Sequence, residues 1–103
     1  MEYTITNEAG ALNVAMSGQF TFHHNQKFRD ILELLNEKEL QAIALNLKQV
    51  EFIDSAGLGM LLLLRDRCLE KNIILSLMEA QGQVRNIFLV SKFDQLFPSL
   101  TEH

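Results

Sequence analysis

The sequence has little of several residues on which common kinds of protein site depend. Its 103 residues include no tryptophan, one tyrosine, one proline and one cysteine. A lone cysteine, Cys68, forms neither an internal disulfide nor a cysteine-based zinc site, which suits a reducing compartment. The core must be built from leucine, isoleucine, valine and seven phenylalanines, and we expect Cys68 to be a small core residue rather than a reactive thiol.

Positive charge and long apolar segments are also scarce. Nine lysines and arginines stand against thirteen aspartates and glutamates, so the net charge is −4 and no basic stripe is available to neutralise a row of phosphates. Direct binding to nucleic acid is therefore not expected. The longest apolar run, 58–64, is too short to span a bilayer, and the first residues lack the order of a signal peptide. We expect a cytoplasmic protein that does not contact a membrane.

What is present is the composition of one globular domain. Hydrophobic residues make up 48% and charged residues 21% of the chain, which are ordinary proportions for a folded domain. Alternating apolar residues over 3–6 and 11–16, with a turn between them, predict a β-hairpin, after which Gly18 breaks the pattern. Apolar residues recur at helical spacing over 26–35, which predicts an amphipathic helix capped by Asn25.

The second half of the chain alternates short apolar runs with helical stretches. Strands are predicted over 42–47 and 73–78, helices over 57–70 and 81–90, and a last short extended piece at Leu96 and Phe97. A strand, a helix and a strand at this spacing form a right-handed crossover, so the two strands should be parallel neighbours. The order of elements predicts a single α/β domain across residues 1–103, with a mixed sheet.

The stretch VEFIDSAGLGM, residues 50–60, lies where a buried strand gives way to a helix. In an open α/β sheet, functional groups gather at the carboxyl ends of strands. The simplest interpretation of Asp54 and Ser55 is a helix cap. Either side chain can accept a hydrogen bond from a backbone N–H group of the first turn, and Gly57 lets the chain turn tightly.

Ser55 has three further interpretations. As a nucleophile it would need His23 or His24 as its base, but Ile53 stands where the G-x-S-x-G pattern has its first glycine. The glycine-rich helix start could instead bind a phosphate ligand such as a nucleotide, although the third glycine of a dinucleotide fingerprint is missing. In the third interpretation Ser55 itself receives a phosphate, since a helix N-terminus tolerates the added negative charge. The two histidines have no third ligand at a recognisable spacing, so no metal site is expected.

The helix after Ser55 indicates what kind of surface surrounds it. Successive helical residues are rotated by about 100°. The predicted core side holds Leu58, Leu61, Leu62, Cys68 and Leu69. Met60 and Leu63 fall on the opposite side with Arg67, and they are candidates for exposed apolar contacts with a partner. In the other interpretation, these two side chains tuck under a neighbouring loop or the last helix.

Several of these segments together resemble a known family. Residues 52–59, FIDSAGLG, preceded by ALNL at 44–47, resemble the STAS domain of bacterial anti-sigma factor antagonists. The similarity covers nearly the whole chain and includes Ser17-Gly18 and the QVRNIF segment at 83–88. The resemblance implies a mixed β-sheet of four to five strands, with helices packed mainly on one side.

The resemblance also implies a switch that is not an enzyme and needs no cofactor. The serine matching Ser55 is the phosphorylation site, and the kinase is a partner that is both an ATP-dependent serine kinase and an anti-sigma factor. The unphosphorylated form binds this partner and frees the sigma factor, and a PP2C-type serine phosphatase restores that form. The residues expected to contact the partner are Thr21, His23, His24, Asp54, Ala56, Gly57, Gly59, Met60 and Leu63.

Two positions depart from the family's pattern, and two other functions stay open. Ala56 replaces the usual second hydroxyl, which leaves Ser55 as the acceptor in the motif, and Thr21 stands where many members carry an aspartate. One alternative function is a constitutive scaffold in a signalling assembly, in which Ser55 is only a cap. The other is a small-ligand binder that uses the glycine-rich helix start.

Overall fold

The structure, a computed structural model, describes residues 2–37 and 39–92. Its strands are β1 (Glu2–Glu8), β2 (Ala11–Phe20), β3 (Ala42–Ile53) and β4 (Ile74–Met78), and its helices are α1 (Asn25–Glu37), α2 (Ser55–Lys71) and α3 (Gly82–Val90). A 3-10 turn, Phe22–His24, leads into α1. The extended piece predicted at Leu96 and Phe97 lies outside the described residues.

The strands form one mixed sheet in the order β1-β2-β3-β4. β1 and β2 make an antiparallel hairpin, whereas β3 runs parallel to both β2 and β4. These pairings confirm the predicted hairpin and the predicted parallel pair joined by α2. The described residues therefore have the predicted α/β architecture, with four strands in a mixed sheet.

The core lies on one face of this sheet. Along β2 the inward residues Leu12, Val14 and Met16 are buried, while Asn13 and Ala15 between them are exposed, as the two-residue period of a strand requires. α1, α2 and α3 all contribute to the same apolar cluster, through Phe28, Ile31, Leu61, Leu64, Val84 and Phe88. The helices thus cover one side of the sheet, as the resemblance implied.

The buried side of α2 differs in part from the predicted one. It is formed by Gly57, Leu61, Leu64 and Cys68, which recur after four, three and four residues. Leu69, predicted to face the core, is 62% exposed because it lies beyond the edge of this stripe, and Leu64 takes its place inside. Leu58 and Leu62 are half-buried at the margins of the stripe.

Met60 and Leu63 are half-buried rather than exposed. Both side chains pack against the apolar core, because α2 contacts α1, β3 and β4 and so has neighbours on more than one side. The interpretation in which these side chains are partly covered is therefore the better one, although the main contacts of α2 are with α1, β3, β4 and the 3-10 turn and not with the last helix. They retain a partly accessible surface, but they do not form the exposed apolar face that the helical spacing suggested.

β2 and β3 are both longer than predicted. Gly18 does not end β2. It adopts a φ of +86°, which glycine accommodates, at a β-bulge within the strand. β3 continues as far as Ile53, and the two strands end in register with Phe20 opposite Ile53. The residues that follow, Thr21 and Asp54, therefore meet at the same edge of the sheet.

The start of α1 also differs from the prediction. Asn25 is not an N-cap, because its φ of −66° and ψ of −28° are helical. The chain leaves the sheet in an extended conformation at Thr21, with φ −129° and ψ 178°, and then forms the 3-10 turn. Because this turn runs straight into α1, the extended conformation of a cap falls at Thr21 and not directly before the helix.

Gly57 and Gly59 offer a matched test of packing at the start of α2. A Cβ atom at Gly57 would lie 2.6 Å from both the Ile53 side chain and the Phe20 carbonyl oxygen, whereas a Cβ at Gly59 would meet nothing within 4 Å. We expect Gly57→Ala to lower the free energy of unfolding by about 1–3 kcal/mol. Gly59→Ala should leave it unchanged or raise it by up to about 1 kcal/mol, since alanine favours the helix. Urea unfolding of both variants measures this, and equal stabilities would contradict the packing described.

Cys68 allows a test of the core from the chemistry of its thiol. The side chain is buried, and burial raises the pKa of the thiol to about 11. Since the thiolate is the reactive form, the native protein should react with a thiol reagent at mildly alkaline pH far more slowly than the urea-unfolded protein. A stopped-flow comparison of the two rates measures the difference. Equal rates would mean that the thiol is accessible.

Candidate functional site

Asp54, and not Ser55, caps α2. Its backbone is extended, with φ −105° and ψ −176°, and its carboxylate oxygen Oδ1 accepts a hydrogen bond of 2.9 Å from the backbone N–H of Gly57. Ser55 is the first residue of the helix itself. Of the two residues that fitted the cap by sequence, Asp54 therefore has that role, which leaves the Ser55 hydroxyl without a capping function.

The same carboxylate also holds the loop that follows β2. Its second oxygen, Oδ2, accepts a hydrogen bond of 3.1 Å from the backbone N–H of Phe22. The backbone N–H of Asp54 in turn donates to the Phe20 carbonyl oxygen at 3.3 Å. One residue thus ties the end of β2, the 3-10 turn and the start of α2 together.

The environment of Asp54 keeps its side chain ionised at neutral pH. Partial burial raises the pKa of the carboxyl group, but hydrogen bonds from the backbone N–H groups of Gly57, Phe22 and Ala56 outweigh burial, and the pKa is lowered from its ordinary value of 3.8. The negative charge lies at the positive end of the α2 dipole, which further suits an anion.

Ser55 is exposed at the point where these segments meet. Along the first turn of α2, Ser55 and Gly59 are exposed, Ala56 is half-buried and Gly57 is buried. The exposed Ser55 therefore lies on a backbone that is held by the Asp54 hydrogen bond and by the close fit of Gly57. This arrangement presents an exposed serine at a hydrogen-bonded and closely packed helix start.

Thr21 and His24 form a polar pair beside Asp54. The Thr21 hydroxyl oxygen and the His24 Nδ1 atom are 3.1 Å apart, so the predicted histidine engages Thr21 through this nitrogen rather than Ser55. Partial desolvation lowers the pKa of His24 below 6.5, and the charges of His23 and Lys27 lower it further, whereas the charge of Asp54 raises it. The lowered pKa favours the neutral form of the ring at pH 7. This pairing weakens the interpretation of Ser55 as a histidine-activated nucleophile.

Two phenylalanines near Asp54, one bonded to it through its backbone and the other two residues before it in the chain, are exposed, and neither is among the residues predicted for the site. Phe22, which donates its N–H to Asp54, has a side chain that is 64% exposed, and its ring lies edge-on to the ring of His23 with centroids 6.0 Å apart. Phe52, two residues before Asp54, is 40% exposed. A signal for Phe52 was available in the sequence, because the neighbour of an inward-facing strand residue such as Ile53 faces outward.

The described residues contain neither a cluster of metal-binding side chains nor a helix suited to cross a membrane. Within residues 2–37 and 39–92, no group of three or more His, Cys, Asp and Glu side chains is placed to hold a metal ion. His23 and His24 belong to the 3-10 turn that leads into α1. In the same part of the chain, none of the helices combines the length and the hydropathy needed to cross a membrane.

The sequence of the whole domain matches a known family. A family model described as the STAS domain matches residues 2–103. A STAS-domain containing protein of Pseudomonas aeruginosa (strain UCBPP-PA14) is 37% identical over 86 residues, which cover 84% of this chain and 84% of that protein.

Solved structures show the same fold at lower identity. The anti-sigma factor antagonist SpoIIAA in its unphosphorylated form gives a TM-score of 0.80 at 19% identity, covering 97% of this chain and 86% of that one. The Bacillus cell fate determinant SpoIIAA in its phosphorylated form gives 0.74 at 17% identity, covering 98% and 93%. At these identities the likeness concerns the fold alone.

Asp54→Ala tests the link that this carboxylate makes between segments. At neutral pH the substitution should lower the free energy of unfolding by about 1–2 kcal/mol, since it removes a helix cap and the acceptor for a second N–H group. Because the folded-state pKa of Asp54 lies below 3.8, its stabilising effect is present above that pH and is lost as the pH falls through the folded-state pKa. The difference between wild type and variant should therefore shrink in acid.

The measurement is urea unfolding of both proteins from neutral pH to below pH 3.8. Asp66→Ala is the matched control, because Asp66 lies on the same helix with its side chain 61% exposed and paired only across the surface with Arg65. Its effect should stay within about 0.5 kcal/mol. A constant difference between wild type and Asp54→Ala at every pH would show that the ionised carboxylate is not what stabilises the turn.

Proposed function

Because the chain belongs to the STAS domain family, we propose that it is a phosphorylation-controlled antagonist of an anti-sigma factor. In its unphosphorylated form it binds an anti-sigma factor that is also a serine kinase, and the sigma factor is released. Phosphorylation of Ser55 ends this binding, and a PP2C-type serine phosphatase restores it. The observation that carries the proposal is the exposed Ser55 hydroxyl at the first position of α2, on a backbone held by Asp54.

Two solved structures of SpoIIAA support this role. SpoIIAA is an anti-sigma factor antagonist whose structure is known in an unphosphorylated and in a phosphorylated form, and both share the fold of this chain. In the present proposal the chain supplies the hydroxyl and the binding surface, while the partner kinase and the phosphatase supply the catalysis. It is therefore not an enzyme, needs no cofactor of its own and acts in the cytoplasm.

The site can accept a phosphate without losing its fold. A phosphoserine adds about −1.5 to −2 charges, and at the start of a helix this charge lies at the positive end of the dipole. Asp54, which is already ionised beside it, adds like charge to the same surface. Phosphorylation would therefore change the electrostatics of the surface strongly while leaving the core packing of α2 as it is.

The surface around Ser55 has the composition of a protein-binding site. Exposed aromatic side chains anchor many interfaces, and the exposed Phe22 belongs to the 3-10 turn whose backbone is bonded to Asp54. Gly59 leaves open space above the helix, so a partner backbone can approach closely there. The remaining residues proposed to contact the partner are Thr21, His23, His24, Ala56, Gly57, Met60 and Leu63, the last two through their partly accessible surfaces. A dianionic group among these side chains would oppose contact with an apolar or acidic partner surface.

The geometry does not favour the small-ligand alternative. A free nucleotide phosphate, which no covalent bond holds in place, would have to compete at the start of α2 with the Asp54 carboxylate, which already accepts the Gly57 N–H and carries a negative charge. The scaffold alternative differs from the switch only in its response to charge at position 55, so the same experiment separates the two.

Phosphate incorporation tests the proposal directly. Incubation with the cognate anti-sigma kinase and ATP should place one phosphate on Ser55, located by mass spectrometry, and Ser55→Ala should take up none. Ser91→Ala is the control, because the Ser91 hydroxyl lies at the end of α3, bonded to the Ile87 carbonyl oxygen at 2.6 Å, and its loss should leave incorporation unchanged. Phosphate at another residue would overturn the proposal.

Binding measurements give a second readout. Ser55→Asp should bind the kinase at least about tenfold more weakly than wild type, which corresponds to about 1.4 kcal/mol, whereas Ser55→Ala should bind normally. Equal affinities of the wild type, Ser55→Ala and Ser55→Asp would instead indicate a scaffold that does not respond to charge at this position.

A further inference from the structure

β3 extends beyond its neighbour β4, and α3 takes over where β4 ends. The pairing of β3 with β4 stops at Asn46 opposite Met78, while β3 continues to Ile53. Beyond that point, side chains from the start of α3 bond to the exposed edge of β3. Gln81 Nε2 donates to the Lys48 carbonyl oxygen at 2.9 Å. Two glutamines thus provide contacts that a strand backbone would otherwise make.

Gln83 replaces a strand backbone more completely than Gln81 does, because its amide bonds to both the N–H and the carbonyl oxygen of one residue. Its Oε1 atom accepts a hydrogen bond of 3.0 Å from the backbone N–H of Ile53, and its Nε2 atom donates one of 3.0 Å to the Ile53 carbonyl oxygen. A primary amide carries a donor and an acceptor side by side, as a strand residue does. The glutamine is half-buried, and its neighbour Val84 is fully buried, so packing of α3 holds the amide in place.

Ile53 connects the end of β3 to the segment that carries Ser55. It directly precedes Asp54, and on the opposite side of the strand the Asp54 N–H donates to the Phe20 carbonyl oxygen. The Ile53 side chain also lies against Gly57, where a Cβ atom would come within 2.6 Å of it. The position of Ile53 therefore determines both where β3 ends and where α2 begins.

We infer that Gln83 is a positioning residue for the phosphorylation site: its amide clamps Ile53 and so holds the Ser55 turn, residues 53–57, in the geometry that the kinase engages. This inference rests on the proposed function of Ser55. Gln83 touches neither the hydroxyl nor the phosphate donor. Its effect is exerted through the backbone of Ile53, which it links to α3, a helix thirty residues away along the chain.

Gln83→Ala and Gln81→Ala form a matched pair. Each removes a glutamine amide from the start of α3, but Gln81 bonds to Lys48, at the far end of the same strand edge. With Gln83→Ala, kcat/KM for phosphorylation of Ser55 should fall by about tenfold or more, since small misplacements of a reacting group cost one to two orders of magnitude. With Gln81→Ala it should stay at the wild-type value.

Amide NMR spectra of isotope-labelled protein give a readout that needs no kinase. Gln83→Ala should shift the amide signals of residues 53–57 and speed their hydrogen exchange, whereas Gln81→Ala should affect the signals around Lys48 and leave those of the Ser55 turn unchanged. If wild-type protein takes up no phosphate on Ser55, the proposed function fails, and the NMR comparison still decides whether Gln83 holds the turn. Identical effects of the two variants on the turn and on kcat/KM would overturn the inference.

Gln83→Glu preserves the shape of the side chain and adds a pH-dependent rescue. An ionised carboxylate accepts but cannot donate, so it loses the bond to the Ile53 carbonyl oxygen and places negative charge beside it. A protonated carboxyl group again offers one donor and one acceptor. At each pH, the exchange rates of the Ser55 turn amides in Gln83→Glu are compared with those of the wild type. The ratio of the two rates should approach one as the pH is lowered, and a ratio that does not change with pH would count against the clamp.

Discussion

The carboxylate of Asp54 accepts backbone N–H groups from two segments that are far apart in the chain, and the local structure of the site depends on this arrangement. One oxygen caps α2 through Gly57, and the other holds the 3-10 turn through Phe22. An ionised carboxylate that accepts two hydrogen bonds in this way links the segments more strongly than a neutral side chain of the same shape. Without the carboxylate, the N–H groups of Phe22 and Gly57 would lose the acceptor that they share.

The backbone pairing of the sheet also brings these segments together. β2 and β3 are parallel and end in register, so the loops that follow them emerge side by side at one edge. This is the edge at which open α/β sheets place their functional groups. The close fit of Gly57 against Ile53 and the Phe20 carbonyl oxygen then brings α2 near enough for the carboxylate to reach both partners. Sheet, glycine and carboxylate together therefore position the exposed Ser55.

Local patterns in the sequence predicted most of the elements, and contacts between distant residues account for what they missed. The hairpin, the parallel pair and the helices follow from periodicity, which depends on neighbours in the chain. Gly18 was expected to end β2, but the bulge absorbs its positive φ and the strand continues. Leu69 was predicted to face the core but is exposed, and Leu64 is buried, because a small error in the phase of a leucine-rich helix changes which leucines face inward. The links from Gln83 to Ile53 and from Phe22 to Asp54 leave no periodic signal at all.

The common end of β2 and β3 also limits how the length of this chain can vary. Side chains alternate between the two faces of a strand, so a single inserted or deleted residue in the second half of β3 would turn Asp54 to the opposite face of the sheet. The same change in β2 would move the 3-10 turn away from its acceptor. Length changes should therefore be strongly disfavoured between Gly18 and Phe20 or between Lys48 and Ile53. The position of Ser55 thus depends on the lengths of two strands, β2 and β3, together.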